Sequence, residues 1–397
     1  STLRVDRDAG VAATKRAISA ERSSDMTRFL RDPMNWLLVF IPVAAVLGHV
    51  EGVPAPVTFA SAALAIVPLA AWLVHATENI AVRTGPTVGG LLNATFGNAP
   101  ELIIALMALR AGMVEVVKAS IVGAIPANLL FALGLSFLVG GIRYRVQEYN
   151  YRGVRIHTSV LMLAAIALIL PSIFHNYITP QTRRLEQSLN AAVAVVLLVA
   201  YGMSLLFMLR THPEYFAAKR TGDAGHAQGK PWSMSVAVTV LIVSSVVLAF
   251  LSEILVGAVE ETATSLGMSK AFIGVIVLAV VGGAAESYAA IAMARKNQLD
   301  LTISIAIGSS LQIALFVAPA LVLLSYVIAP RRMDLVVGGA GSIIVLLAIL
   351  ITMMTANDGK SNWFKGFLLL CVYALIALFC FFLPDDLGAT GRATMAP

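Results

Sequence analysis

The sequence predicts an all-α polytopic membrane protein with eleven transmembrane helices: one N-terminal helix followed by two inverted five-helix repeats. Three observations predict this fold class: the apolar composition, the length of the apolar runs and the similarity between the two halves of the chain. Of the 397 residues, 58% are hydrophobic and only 13% are charged, whereas a soluble domain carries about 25% charged residues. Most of the chain is therefore expected to be surrounded by lipid.

The apolar runs define the predicted spans. A helix needs roughly 20 mainly apolar residues to cross a bilayer. If the N-terminus lies inside, the inside segments carry 20 of the 28 Lys and Arg residues. Because cytoplasmic connections collect these residues, we expect a cytoplasmic N-terminus and a bacterial-type inner (plasma) membrane. The predicted spans are 34–52, 57–83, 87–110, 114–140, 155–175, 188–210, 233–264, 271–294, 300–328, 334–355 and 363–383.

Polar segments divide these spans into units. The first residues lack the apolar core of a signal peptide. The net charge of +6 follows the membrane connections and does not indicate nucleic-acid binding. The predicted division is a polar, basic cytoplasmic tail at 1–33, an extra N-terminal transmembrane helix at 34–52, a first five-helix repeat at 57–210, a cytoplasmic linker at 211–232, a second five-helix repeat at 233–383 and a C-terminal tail at 384–397.

The two five-span units resemble each other. A shift of 185 residues aligns carboxylates, arginines and glycines together, which chance matches between apolar stretches rarely do. Since each unit has an odd number of spans, the second must run in the opposite direction. Inverted repeats usually place a substrate site near the bilayer midplane, where interrupted helices meet. The aligned pairs include Gly89 with Gly274, Gly97 with Gly282, Glu101 with Glu286, Arg110 with Arg295 and Gly123 with Gly308.

Glu101 and Glu286 lie well inside their predicted spans. A charge at the bilayer centre costs at least about 2.5–3.5 kcal/mol, unless the group faces a wet cavity, stays protonated or binds a cation. A neutral glutamic acid bonded to a neighbouring helix explains one such residue. Two at equivalent repeat positions favour a cation or proton site.

The residues around Glu101 support such a site. Pro100 opposes a regular helix, and Gly97 and Gly282 remove side-chain bulk beside the two acids. A bend there frees backbone carbonyls, which are tolerated at membrane depth only beside protein or a polar cavity. Calcium favours six to eight oxygen ligands from carboxylates, amides, carbonyls and water. The predicted ligands are Glu101, Glu286, Asn98 and backbone carbonyls near Gly97 and Gly282.

Two further polar sets are candidates for function. Asn128, Ser309, Ser310 and Gln312 follow the matched glycines of the two units, where hydrogen bonds between helices are the alternative explanation.

Glu78 and Glu260 each precede a glycine by seven residues and are candidates for a gate or a proton relay. His75 lies on the same helix face as Glu78, where it either tunes that acid or packs as a neutral side chain.

The residues that carry the paired acids resemble those of a known family. The segments "GNAPE" (97–101) and "GGAAES" (282–287) resemble the G-N-x-x-E and G-N-A-A-E-H signatures of the calcium/cation antiporter superfamily, most closely its cation/proton exchanger (CAX) branch. "GGLLNATFGN" (89–98) and "IAIGSSLQIALFV" (305–317) extend the similarity, which covers nearly the whole chain from about residue 34. The resemblance implies a ten-helix core plus one helix, a central site with two key acids, and exchange of Ca2+ for H+.

Several positions depart from the family pattern. Gly283 stands where the family has Asn, Ser287 replaces a His, and Ala124 and Ala127 replace common serines. The transporter class is therefore predicted more firmly than the ion.

The predicted activity is secondary active antiport by alternating access, with cation and protons competing for the two glutamates. The protein is not expected to be an enzyme or to need a cofactor. Its predicted partners are the transported Ca2+ and H+ and the lipid bilayer, and a homo-oligomer stays open.

Other functions also stay open from the residues. They are exchange of another cation or coupling to Na+, a cation channel or leak, and a cation-binding homologue that does not transport. A membrane-embedded hydrolase is disfavoured, because the sequence contains no H-E-x-x-H helix and no G-x-S-x-G elbow.

Overall fold

Helices make up nearly all of the chain that the computed structural model describes, as the sequence predicts. The described residues are 33–84, 86–175, 177, 179, 182–216 and 232–383. Most of the predicted tail 1–33, most of the linker 211–232 and all of the tail 384–397 lie outside them.

The helices follow the predicted order in both halves. The first half contains α1 (Pro33–Leu47), α2 (Ala55–Thr84), α3 (Pro86–Phe96), α4 (Ala99–Arg110), α5 (Val114–Tyr144), α6 (Tyr151–His175) and α7 (Arg184–Thr211). The second half contains α8 (Met234–Gly257), α9 (Val259–Leu266), α10 (Ile273–Gly282), α11 (Ala284–Arg295), α12 (Leu299–Ile328), α13 (Gly338–Thr355) and α14 (Trp363–Phe382).

The described residues form an integral, multi-pass membrane protein. Eight of their helices are long and apolar enough to cross a bilayer, and α10 and α11 make a ninth span if the bent pair counts as one. Helix α1 is shorter, and the predicted span 87–110 is divided between α3 and α4. The count of eleven therefore stays a prediction.

One predicted span is corrected. We predicted a single helix over 233–264, but α8 ends at Gly257 and α9 begins at Val259. Glycine weakens a helix, and the acidic side chains of Glu260 and Glu261 stabilise the start of a new one.

Two large hydrophobic cores hold the helices together, beside a smaller cluster of Ala76, Trp232 and Ala237. One core is built mainly from α2 and α8, with α1 against them, and the other from α4 to α7 and α11 to α14. Helix α5 is the most buried span. The outer faces of α7, α8 and α14 expose Val, Leu and Phe side chains, as expected of a surface that faces lipid.

In several cases where a helix of the first half packs on a helix of the second, the two helices at the equivalent positions also pack on each other. Helix α5 packs on α14, and α12, its counterpart, packs on α7; likewise α6 packs on α12, and α5 packs on α13. The counterparts α2 and α8 pack on each other, as do α6 and α13. Each half therefore completes its packing with helices of the other half.

At one end of the bundle, polar contacts join the connections between helices to one another. We call this end the linker face (145–150, 213–216, 296–298 and 356–362). The side chain of Asn150 donates to the carbonyl of Tyr215 at 3.0 Å. Strand β1 (Gln147–Glu148) pairs antiparallel with β2 (Lys360–Ser361). This ribbon is a small exception to the all-α prediction, and it forms because two connections of opposite halves lie side by side.

The opposite end, the far face (111–113 and 329–337), is held by a buried ion group. The Lys118 ammonium lies 2.8 Å from Asp334 and 3.1 Å from Glu115, and only 10% of its side chain is exposed. A buried charge is destabilising without partners. The two carboxylates therefore fix the loop after α12 on the start of α5, a contact that the sequence analysis did not foresee.

Helices α5 and α10 cross at a glycine contact. A Cβ built at Gly123 would overlap the carbonyl group of Val275, and one built at Gly274 would overlap Ala119. At Gly308, the counterpart of Gly123, an added Cβ meets no described residue within 4 Å. The two equivalent crossings therefore differ in how closely they are packed.

Candidate functional site

Each central glutamate follows a break in its helix. Helix α3 ends at Phe96, a turn contains Gly97 and Asn98, and α4 begins at Ala99. Pro100 occupies the first turn of α4, where a missing N–H does no harm. The sequence analysis treated Pro100 as a residue that opposes the helix; in the structure it begins one.

The second half repeats this arrangement. Helix α10 ends at Gly282 and α11 begins at Ala284, with a bend of 60° between them. Glu101 and Glu286 both lie in the first turn of the helix that follows the break. The N-terminal end of a helix carries a partial positive charge, so both positions favour a carboxylate.

The two carboxyl groups are close enough for their charges to repel. None of their four oxygens has a hydrogen-bond partner among the described residues, and all four are buried. Buried polar atoms are nearly always bonded, so this pair needs an explanation. Protons on the carboxyl groups, or a cation between them, would supply one.

Residues from both halves surround Glu101. A Cβ built at Gly282 would lie 3.2 Å from the Cγ of Glu101. A Cβ built at Gly283 would lie 3.3 Å from the side-chain oxygen of Asn128 and 3.9 Å from Oε1 of Glu101. The space that the family's Asn would fill at Gly283 is therefore partly taken by Asn128.

Three side-chain amides complete the polar set. The Nδ2 of Asn98 donates to Oε1 of Gln312 at 2.5 Å. The Oδ1 of Asn98 and the Nδ2 of Asn128 are buried and have no partner among the described residues. The structure thus brings predicted site residues from both halves together.

Two of these amides, Asn128 and Gln312, lie at irregular turns of their helices. A π-helical turn, Ala127–Ala132, contains Asn128, and a second, Ile313–Val317, begins directly after Gln312. These turns occupy equivalent positions in α5 and α12. Such turns occur often at functional sites, because they redirect side chains within a helix.

Comparison with known proteins identifies the family. The family described as sodium/calcium exchanger protein matches residues 54–210 and 236–382. The chain belongs to this family. A Ca(2+)/H(+) antiporter of Aphanothece halophytica is 42% identical over 360 residues, which cover 88% of this chain and 96% of that protein. Vacuolar cation/proton exchanger 2 of Oryza sativa subsp. japonica is 36% identical over 355 residues, covering 88% and 81%.

A solved structure is also similar to this member of the exchanger family. The structure of native YfkE is 36% identical, with a TM-score of 0.75, and the match covers 88% of this chain and all of that one. These comparisons confirm the predicted place in the cation/proton exchanger branch of the calcium/cation antiporters.

The serines of this exchanger-family chain have different surroundings. The hydroxyl of Ser310 donates to the carbonyl of Ala306 at 3.0 Å, within its own helix. That bond is internal to α12 and is not the hydrogen bond between helices that we gave as the alternative, so Ser310 stays a predicted ligand. Ser309 is buried on the same helix and stays a predicted ligand.

The predicted gate residues lie away from the paired acids. The side chain of Glu78 is 57% exposed and lies 3.6 Å from His75, and Glu260 is exposed as well. The ring of His75 also packs edge-on against Trp232, 4.8 Å between centroids. Their roles as gate or proton relay stay predictions.

One polar neighbour of the site was not predicted from the sequence. Ser120 lines a cavity of about 10 Å³ beside Glu101, at the crossing of α5 and α10. That volume is about what one water molecule needs. The repeat comparison could not have revealed it, because the residue equivalent to Ser120 is Ile305.

Proposed function

We propose that the chain is a secondary active antiporter that exchanges Ca2+ for H+ across its membrane by alternating access. The observation that carries this proposal is the pair of buried glutamates, Glu101 and Glu286, whose carboxyl oxygens have no hydrogen-bond partner among the described residues. Two relatives, named Ca(2+)/H(+) antiporter and vacuolar cation/proton exchanger, support the choice of ions. Ca2+ is the transported substrate, and the reaction needs no cofactor.

The charge of the site explains the exchange. Two ionised carboxylates balance one Ca2+, and two protons neutralise the same pair. A buried carboxylate without a counter-charge is strongly disfavoured, and a bound divalent ion removes that penalty. The cation and the protons therefore compete, and the site crosses the membrane with one or the other.

We propose a ligand set on the basis of the same geometry. Calcium needs six to eight oxygens, and Glu101 and Glu286 supply up to four. The amide oxygens of Asn98 and Asn128, backbone carbonyls at the two helix breaks and water are assigned to the remaining positions. Gln312 orients Asn98 through their hydrogen bond.

We also infer that the two halves are inverted repeats within an eleven-span chain. The matching element order, the exchanged contacts between the halves and the family match on both segments support this arrangement. Counting α1 as one further span, and the pair of α3 and α4 as another, raises the nine spans to eleven. The distribution of Lys and Arg supports a cytoplasmic linker face and N-terminus, in a bacterial inner membrane.

The unequal crossings support alternating access. The crossing of α5 and α10 is closed at Gly123, whereas at Gly308, the equivalent place on α12, an added Cβ meets no described residue within 4 Å. In the opposite state we expect α3 to close on Gly308 while α10 moves away from Gly123. The central site, to which the two oppositely oriented halves each contribute one glutamate, then opens to each side of the membrane in turn.

The test is proton movement in proteoliposomes that contain a pH dye. We expect added external Ca2+ to release protons from the lumen without sodium, and an imposed proton gradient to drive Ca2+ uphill. Calcium movement that only follows its own gradient would identify a channel and contradict the proposal. A response that requires sodium would show that Na+, and not H+, is the coupling ion.

The packing above Gly283 yields a specific prediction. We expect Gly283→Asn to weaken the apparent Ca2+ affinity about tenfold, although it restores the family residue. Its side chain must displace Asn128 and press on Glu101. Overpacking costs about 1–3 kcal/mol, and a cost of about 1.4 kcal/mol corresponds to a tenfold loss of affinity. Calcium-dependent proton release, titrated with Ca2+, measures the effect.

A matched variant and a second substitution check the cause. Gly339→Asn introduces the same side chain where an added Cβ meets nothing within 4 Å, and should leave the affinity unchanged. Adding Asn128→Ser to Gly283→Asn should recover part of the loss. A tighter Ca2+ affinity in Gly283→Asn would show instead that the new amide joins the ligands.

A further inference from the structure

A polar groove separates α6 and α13 where these helices reach the linker face. Its volume is about 300 Å³, at the lower end of the range for small-molecule pockets. The lining residues are Val154, Arg155, Thr158 and Ser159 on α6, and Met353, Met354 and Asn357 on or just after α13. None of them takes part in the paired-glutamate site.

The groove carries a positive charge that no acid among the described residues pairs with. The guanidinium of Arg155 lies 5.7 Å from the ring centroid of Tyr151 and forms no ion pair with a described residue. The acids nearby are engaged elsewhere: both oxygens of Asp358 lie 2.7 Å from the Lys365 ammonium, and Glu148 faces Lys360 at 3.8 Å.

The polar atoms of the groove suit an anion. The hydroxyls of Thr158 and Ser159 already donate to carbonyls of α6, at 2.9 and 2.8 Å. Arg155 and Asn357, which are both exposed, are the further donors among the residues that line the groove. Arginine binds phosphate through paired N–H bonds.

The apolar surroundings indicate a lipid rather than a free ion. The groove's own wall includes Met353 and Met354, which are 43% and 71% exposed. Deeper along the same two helices the exposed side chains include Leu163 on α6 and Leu347 on α13. An acyl chain would lie along this strip, with its headgroup at Arg155.

We propose that this groove binds the phosphate group of an anionic membrane lipid. Arg155 and Asn357 hold the phosphate, and the methionines contact the first part of an acyl chain. Basic pockets between transmembrane helices on the cytoplasmic side are suited to such headgroups. This proposal concerns a surface outside the ion path, and its test does not depend on transport.

The test is native mass spectrometry of the purified full chain, titrated with phosphatidylglycerol. We expect Arg155→Gln to weaken binding of the first lipid about fivefold to tenfold, since one basic residue near an anionic surface contributes about that much. Ser159→Leu keeps the charge but fills the groove, and should weaken binding similarly. Arg331→Gln removes an exposed arginine on the far face and should have no effect.

The source of the anion is resolved in the same experiment. Weak binding of phosphatidylcholine, and no displacement of phosphatidylglycerol by millimolar inorganic phosphate, would support the lipid. Equal binding by wild type and Arg155→Gln would overturn the site. Full displacement by inorganic phosphate would overturn the lipid as its occupant.

Discussion

Replacing Glu101 or Glu286 by Gln is expected to abolish Ca2+-driven proton movement. Glutamine keeps the shape of the side chain but neither balances the charge of Ca2+ nor releases a proton. Removing one partner of a buried charged group costs about 3–5 kcal/mol, so we expect a loss of about 100-fold or more in exchange. Proton release from dye-loaded proteoliposomes measures it.

Folding can be separated from function in these variants. Since the two carboxyl groups repel each other when ionised, removing one charge should not lower the melting temperature in Ca2+-free buffer. Calcium should stabilise the wild type against heat and leave both variants nearly unaffected. Glu253→Gln, an exposed glutamate of α8, is the matched control and should behave as wild type. Full exchange in either central variant would refute the mechanism.

Gly123→Ala is expected to produce the second large effect. The added methyl group would overlap the carbonyl of Val275, so α5 and α10 must move apart. Small residues permit such close helix crossings in membranes, and overpacking costs about 1–3 kcal/mol. We expect a melting temperature several degrees lower and slower exchange, because the closed crossing is disfavoured.

The repeat supplies the control for this experiment. Gly308→Ala makes the same change at the equivalent position of α12, where the added atom meets no described residue within 4 Å. Its stability should match that of wild type, while its exchange rate should fall if α3 closes there in the opposite state. Equal melting temperatures for Gly123→Ala and wild type would contradict the packing of the α5 crossing.

The sequence specified the long helices well, because lipid offers no partner to the backbone. Each span must satisfy its own N–H and C=O groups and expose apolar side chains, so local composition alone revealed α2, α5, α6 and α12. The same rule exposed Glu101 and Glu286, since an acid within such a span is unfavourable without a functional role.

The sequence was a weaker guide where a helix starts or ends. The break at Gly97 was expected, but Pro100 was expected to disturb a helix that it begins. The end of α8 at Gly257 was missed because the next two residues, Ala258 and Val259, are still apolar. Helix ends depend on capping residues and on contacts with neighbouring helices, and the length of an apolar run gives no information about either.

What the sequence by itself determined is the class of protein, its helical units and the two acids at its centre, since each follows from residues close together in the chain. The tertiary structure decided which groups meet. Asn98 bonds Gln312 across 214 residues, Lys118 pairs with Asp334 of the other half, and Asn128 fills the space above Gly283. Such contacts depend on the rotation and register of helices against one another, which packing alone fixes.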